Sequence, residues 1–293
     1  MRIVVIGVKG QVASSLRERA KDRCEIVALG RPDLDLADRD SVLRSLEATR
    51  GDAIVNAAAY TAVDRAEQEE AFAFRVNAAG AGHVAEAAVR MGAPLLHLST
   101  DYVFDGAETR PYVETDATGP TGAYGRSKLE GEARVREAQP DSVVLRTAWV
   151  YSPFGANFVR TMLRLGESRE EVGVVADQRG NPTSALDIAD ALIPIAERLV
   201  RDASQELRGV FHMAGRGEAS WADLAEATFA CAERFGRKPV RVKRITTADY
   251  PTPAKRPANS RIDCGKLERV YGVALPPWRA SLETTVARLL NTA

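Results

Sequence analysis

Five short apolar runs, at residues 3–6, 25–29, 53–56, 94–98 and 142–147, divide the first half of the chain. They are β-branched or leucine-rich, and helical patterns fill the intervals near 11–21, 39–48, 64–91 and 124–138. Strands that are apolar throughout need cover on both faces, and alternation with helices supplies it. The pattern therefore predicts an α/β fold with a doubly wound parallel sheet. Beyond residue 150 it becomes mixed, with helices near 157–166, 186–200, 221–235 and 279–290 and short strands near 172–175, 210–213 and 240–245. We expect residues 1–150 to form a dinucleotide-binding domain, to which some later segments return. Residues 151–293 should form mainly a smaller, mixed α/β substrate lobe over the carboxyl edge of the sheet. The stretch 246–261, with Pro251, Pro253 and Pro257, reads as an ordered loop.

The first strand runs into Gly7-Val8-Lys9-Gly10-Gln11-Val12-Ala13, which opens the first helix. Gly7 permits a tight turn, and Gly10 lets backbone approach a pyrophosphate at the positive helix end. Ala13, third in the small-residue series, still allows close packing of helix on strand. This is the phosphate turn of a Rossmann-like sheet. About 20 residues further on, such a fold places the group that reads the adenosine ribose. Gly30-Arg31 stands where an acid would bond a 2′-hydroxyl, and a guanidinium suits a 2′-phosphate. Asp33 and Asp35 follow closely. NADPH is the expected cofactor, with NADH the alternative.

In the second half of this domain, Tyr124 and Lys128 stand four residues apart on one predicted helix and so share a face. A free phenol ionises near pH 10, and an ammonium beside it would pull that value down. Such a pair can donate a proton to a carbonyl oxygen while a nicotinamide supplies hydride to carbon. Thr100, at the carboxyl end of the fourth strand, adds a hydroxyl that can bond the same oxygen. The small residues of Asn56-Ala57-Ala58-Ala59-Tyr60-Thr61 would let a flat ring or ribose lie against backbone.

Forty basic and 40 acidic side chains cancel, leaving no electrostatic footprint for nucleic acid or an anionic membrane. No apolar run approaches the roughly 18 residues of a spanning helix. The first residues read as a buried strand and not as a signal peptide, and a cytoplasmic location follows as the expectation. Cys24, Cys231 and Cys264 lack any paired spacing and read as inert thiols. His83, His97 and His212 each stand alone and read as structural, so no histidine metal site is expected.

Longer segments carry a resemblance. Asn56-Ala-Ala-Ala-Tyr-Thr-Ala-Val-Asp64, Ser99-Thr-Asp-Tyr-Val-Phe-Asp-Gly106, Tyr124-Gly-Arg-Ser-Lys-Leu-Glu-Gly-Glu132, Arg146-Thr-Ala-Trp-Val-Tyr151, Asn157-Phe158, Asp177-Gln-Arg-Gly-Asn-Pro-Thr183 and Arg256-Pro-Ala-Asn-Ser-Arg261 are the segments. Together they resemble the extended short-chain dehydrogenases and, within them, the dTDP-4-dehydrorhamnose reductase family. The match covers nearly the whole chain. It departs at Ala13, where the family often has glycine, and at Gly30-Arg31, where some members carry an acid.

The resemblance implies reduction of the 4-keto group of a dTDP-linked deoxysugar, with Tyr124 as proton donor. Lys128 would tune it and hold the nicotinamide ribose, and Thr100 would assist. Gly10, Gln11, Val12, Asp35, Leu36, Ala58, Ala59, Tyr60 and Leu98 would line the cofactor. Asp101, Tyr102 and Trp149 would contact the sugar or nucleotide, and Arg256 would make a structural or substrate contact. The implied partner is a small nucleotide sugar, the implied assembly a monomer or homodimer. Some members use Mg²⁺ between subunits, but no acidic cluster here can be assigned to it. The competing readings are a reductase or epimerase of another activated deoxysugar, and a non-catalytic regulatory subunit. Retention of Thr100, Tyr124 and Lys128 together argues against the last.

Overall fold

The computed structural model describes residues 1–291. Strands β1 (Arg2–Ile6), β2 (Glu25–Leu29), β3 (Ala53–Asn56), β4 (Leu95–Thr100) and β5 (Ser142–Thr147) join Gly209–His212 in one six-stranded sheet. Every neighbouring pair is parallel. The order across the sheet is Gly209–His212, β5, β4, β3, β1, β2. The direction of winding reverses between β1 and β3, which opens a crevice at the carboxyl ends of those strands.

Alternate side chains feed two cores. Ile3, Val5, Val55 and Leu145 pack on α1 (Gln11–Arg19) and on the Ala185–Arg201 helix. Val4, Ile6, Ile54 and Val144 pack on α2 (Arg39–Thr49), the Gly80–Met91 helix and the Ala123–Ala138 helix. Fully burying one such side chain contributes about 1.5–3 kcal/mol. The near-continuous apolar runs in the sequence reflect this two-sided burial.

The later segments divide their allegiance. The Ala185–Arg201 helix and Gly209–His212 return to the sheet, as does a Gly265–Tyr271 helix that carries no clear sequence signal. The helices Phe158–Gly166, Trp221–Glu233 and Trp278–Asn291 build separate apolar clusters. Glu171–Val175 and Arg241–Ile245 pair in parallel with each other, away from the main sheet. Among the described residues no helix is long and apolar enough to cross a membrane.

One expected helix is broken. The 64–91 stretch consists of Val63–Ala66, Glu70–Phe74, a π-helical turn at Arg75–Ala79 and the Gly80–Met91 helix. The turn presents Asn77, whose amide accepts from the Tyr60 N–H at 2.7 Å and donates to the Tyr60 carbonyl at 3.0 Å. It also donates to Ser127 Oγ at 2.9 Å. These bonds tie the segment after β3 to the helix that carries Tyr124. Just beyond the turn, a Cβ on Gly80 would lie 2.8 Å from the Leu36 carbonyl oxygen, so glycine is required there by packing.

Candidate active site

The turn after β1 closes with the Gly7 N–H on the Leu29 carbonyl at 2.7 Å, and Gly7 has φ +121°, a conformation that side chains strain to adopt. Gly10 caps α1 without a side-chain hydrogen bond to its first amides, and a Cβ there would meet nothing within 4 Å. Free amide donors thus face an open crevice, the arrangement a pyrophosphate needs. Gln11 fixes this end of α1: its Nε2 donates to the Val150 carbonyl at 3.3 Å, and its Oε1 accepts from Ser152 at 3.0 Å.

Two adjoining hollows share Gly7, Lys9, Ala58 and Ala59. One, of about 360 Å³, takes in Arg31, Asp35, Leu36 and Tyr60. Arg31 is exposed, with no ion pair or side-chain hydrogen bond among the described residues. Asp35 accepts from the Ala37 N–H at 2.9 Å. The other, of about 420 Å³, is lined by Gly10, Gln11, Val12, Leu98, Tyr124, Lys128 and Thr147, among others. The glycine turn and the Tyr–Lys pair therefore face one continuous cleft.

Tyr124 is half-buried, while Lys128 is 2% exposed. Here the structure corrects one expectation. Desolvation pushes the Tyr124 phenol up to about 12, and the neighbouring Thr100 hydroxyl draws it only partly back. The lysine is not among the groups that draw it down; its ammonium bonds the Leu98 carbonyl at 2.7 Å, with His97 Nε2 at 3.4 Å. Burial pushes Lys128 itself down to about 8. Spacing on a helix fixed the shared face of the pair but not the destination of a long side chain.

Thr100, at the end of β4, accepts from the Tyr102 N–H at 3.2 Å and donates to Asp101 Oδ1 at 3.0 Å. Asp101 is buried with its second oxygen unpartnered; desolvation pushes it up to about 7, against the pull of the Ser260 and Thr100 hydroxyls. The Tyr102 and Tyr124 rings meet edge to face at 5.8 Å. Thr147, opposite Thr100 in the β4–β5 register, lines the cleft with an unpartnered hydroxyl.

Beyond Tyr102 lies an apolar hollow of about 510 Å³, walled by Phe158, Met162, Val174, Trp221, Tyr250 and Arg256, with further residues of the second lobe. Arg256 reaches Asp64 at 2.8 Å, which clamps the proline-rich loop onto the segment after β3. Trp149 adopts φ +45°, stacks on Trp221 at 3.6 Å and donates to Ser260 at 3.1 Å. A Cβ on Gly180 would lie 2.4 Å from that indole, so Trp149 is packed against backbone as well.

Lys9, Thr147 and Trp221 also line these hollows, although the sequence does not single them out. Lys9 was readable, because it stands inside the glycine turn. The others come together only through tertiary packing. Among the described residues no group of three or more His, Cys, Asp or Glu side chains could hold a metal ion.

Comparison with known proteins agrees with this geometry. The family model described as RmlD substrate binding domain matches residues 1–291. A dTDP-4-dehydrorhamnose reductase of Sinorhizobium fredii is 51% identical over 99% of this chain and 98% of its own length. A solved dTDP-4-dehydrorhamnose reductase from Clostridium acetobutylicum superposes with TM-score 0.91 at 35% identity, covering 99% of both chains. Another, from Bacillus anthracis in complex with NADP, superposes with TM-score 0.89 at 34% identity over 98% of both. The chain belongs to the RmlD family, among the dTDP-4-dehydrorhamnose reductases.

Proposed function

We propose that this protein reduces the 4-keto group of dTDP-4-dehydro-L-rhamnose to give dTDP-L-rhamnose, with NADPH as reductant. The observation that carries this reading is the single cleft onto which Gly10, Tyr124 and Lys128 open together. The names of the relatives support the substrate, and the NADP-bound relative supports the cofactor.

When bound, the cofactor supplies hydride to carbon 4 of the sugar. The chain supplies the rest. The amides at Gly10, Gln11 and Val12 and the tight turn at Gly7 would hold the pyrophosphate. Arg31, which lines the adjoining hollow, would engage the 2′-phosphate; Asp35, Leu36, Ala58, Ala59 and Tyr60 would hold the adenosine, and Leu98 the nicotinamide. Tyr124 hydrogen-bonds the ketone oxygen and gives it a proton as carbon 4 becomes tetrahedral. A phenol held near 12 remains protonated at neutral pH, and an alkoxide is basic enough to take its proton. Thr100 donates to the same oxygen once its hydroxyl turns from Asp101. Lys128, held by the Leu98 carbonyl, would bond the nicotinamide ribose with an N–H that the strand leaves free.

The substrate enters from the second lobe. Asp101 and Tyr102 border the reacting sugar, and Trp149 stiffens the wall through Trp221. The apolar hollow beside Arg256 receives the flat base of the nucleotide. Its aromatic wall favours a planar, weakly hydrated ring, and Arg256 adds a cation toward the diphosphate.

The test is to mix the purified protein with NADPH and dTDP-4-dehydro-L-rhamnose, following nicotinamide absorbance and identifying the product by NMR. One mole of dTDP-L-rhamnose per mole of NADPH consumed is the expected result. Turnover confined to other nucleotide-linked keto sugars would reassign the substrate. Absence of turnover with every keto sugar would leave a binding subunit.

A further inference from the structure

We propose that His97 is a positioning residue for Lys128, accepting a hydrogen bond from the lysine at Nε2 while Asn56 holds the imidazole proton on Nδ1. The proposal rests on the reading of Lys128 given above.

The β3–β4 register sets Asn56 directly opposite His97, and both side chains are about 1% exposed. The Asn56 amide nitrogen stands 3.1 Å from His97 Nδ1, and Lys128 Nζ stands 3.4 Å from His97 Nε2. A neutral imidazole has one N–H, whereas an ammonium has three donors and no acceptor. Nε2 must then be the acceptor, so the proton belongs on Nδ1. An Nδ1–H cannot face an amide NH₂. The other end of that amide, Asn56 Oδ1, is buried without a partner.

Turning the Asn56 amide end for end settles the first conflict. Oδ1 gains the Nδ1–H, and the amide nitrogen takes the buried place without a partner that Oδ1 held. Amide orientation is an assignment that the hydrogen-bond network decides. The opposite tautomer, with a proton on Nε2, would aim a donor at the ammonium.

The consequence is geometric. Strand β4 gives Lys128 two acceptors, the Leu98 carbonyl and His97 Nε2, and the third N–H is left for the cleft that the lysine lines. Few other charges reach the site. Glu132, one turn along the lysine's own helix, is bound to Arg146 of β5. Tyr124 stands one turn back on the same helix, and β3 contributes only the neutral Asn56. Burial and the lysine's charge keep His97 neutral.

The primary test is ¹⁵N NMR of histidine-labelled protein without ligands, where only His83, His97 and His212 contribute signals. His97 is expected as the Nδ1–H tautomer across neutral pH, with an Nε2 resonance that moves in Lys128→Met. An Nε2–H tautomer, or an Nε2 signal indifferent to Lys128→Met, overturns the proposal.

Two variants then separate positioning from filling. His97→Leu removes the acceptor, and the alkaline limb of kcat should fall by about one pH unit, with kcat about tenfold lower and KM for the sugar little changed. His97→Gln, which can place an amide oxygen where Nε2 stood, should recover most of both. Equal impairment in the two variants with an unmoved limb would leave His97 as packing alone. The NMR result is read without turnover, so loss of the reductase reading and loss of this one are distinguishable.

Discussion

Glu132 and Arg146 form an ion pair at 2.7 Å with side chains only 4% and 5% exposed, one turn beyond Lys128. Ser99 donates to the same carboxylate at 2.5 Å, and the guanidinium lies over the Phe104 ring at 5.1 Å. The pair bolts the Ala123–Ala138 helix to β4 and β5, the strands that carry Thr100 and Thr147.

Removing either partner strands a buried charge. Glu132→Leu and Arg146→Leu should each cost about 3–5 kcal/mol, and the double variant should be less damaged than the sum of the two. Urea denaturation of the three proteins measures this. Additive losses would mean that the two groups do not depend on each other.

Asp101 makes stability depend on pH in an unusual direction. Its carboxyl is pushed up to about 7, so between about pH 4 and 7 the folded state binds more protons than the unfolded one. Its contribution is present below that window and lost as pH rises through 7. Asp101→Asn should therefore flatten the decline of stability between those limits and make the protein more stable than wild type at pH 8. Thermal midpoints at pH 4.5 and 8 would decide it, and an unchanged slope would contradict the assignment.

Gly125 stands where the Tyr124 helix crosses Tyr102. A Cβ there would lie 2.2 Å from the Tyr102 carbonyl oxygen and 2.9 Å from Pro120 Cβ. Gly125→Ala should push the helix off the strand end, costing about 1–3 kcal/mol and separating Tyr124 from Thr100. A sharp loss of kcat accompanied by lowered stability is the expected signature in parallel kinetic and melting measurements.

Arg31 is the lever on cofactor choice. Charge-assisted bonds to a 2′-phosphate, discounted for an exposed side chain, should favour NADPH over NADH by about tenfold. A carboxylate in its old place is sterically awkward too, since a Cβ on Gly30 would meet Val8 Cγ2 at 3.0 Å. Comparing kcat/KM for both cofactors in wild type and Arg31→Ala tests this. A ratio that does not change would make Arg31 a surface charge and move the discrimination to Lys9 or Asp35.

The sheet was legible because burial on both faces writes itself into each strand: Val4 and Ile54 face one core while Ile3 and Val55 face the other. Gly7, Gly10, Tyr124 and Lys128 were legible because turn chemistry and helix spacing are local. What escaped depends on distant neighbours. The π-helical turn at Asn77 exists for its bonds to Tyr60 and Ser127, which no local pattern announces. Trp149 and Trp221 stand far apart in the sequence and meet only in the folded chain. His97 read as structural because a lone histidine in an apolar strand says nothing until the register places Asn56 across from it. The expectation of a lowered Tyr124 phenol failed for the same reason, since the burial that raises it is made by elements distant in sequence.

The central claim is that Tyr124 delivers the proton to the ketone oxygen, and the turnover of Tyr124→Phe tests it most directly. Phenylalanine keeps the ring and its edge-to-face contact with Tyr102, so fold and cofactor binding should be retained. General acid catalysis is typically worth about 10²–10⁴-fold, and kcat should fall by that amount while the melting temperature and NADPH affinity stay near wild type. A kcat within a few-fold of wild type would contradict the account and transfer the proton donation to another group in the cleft.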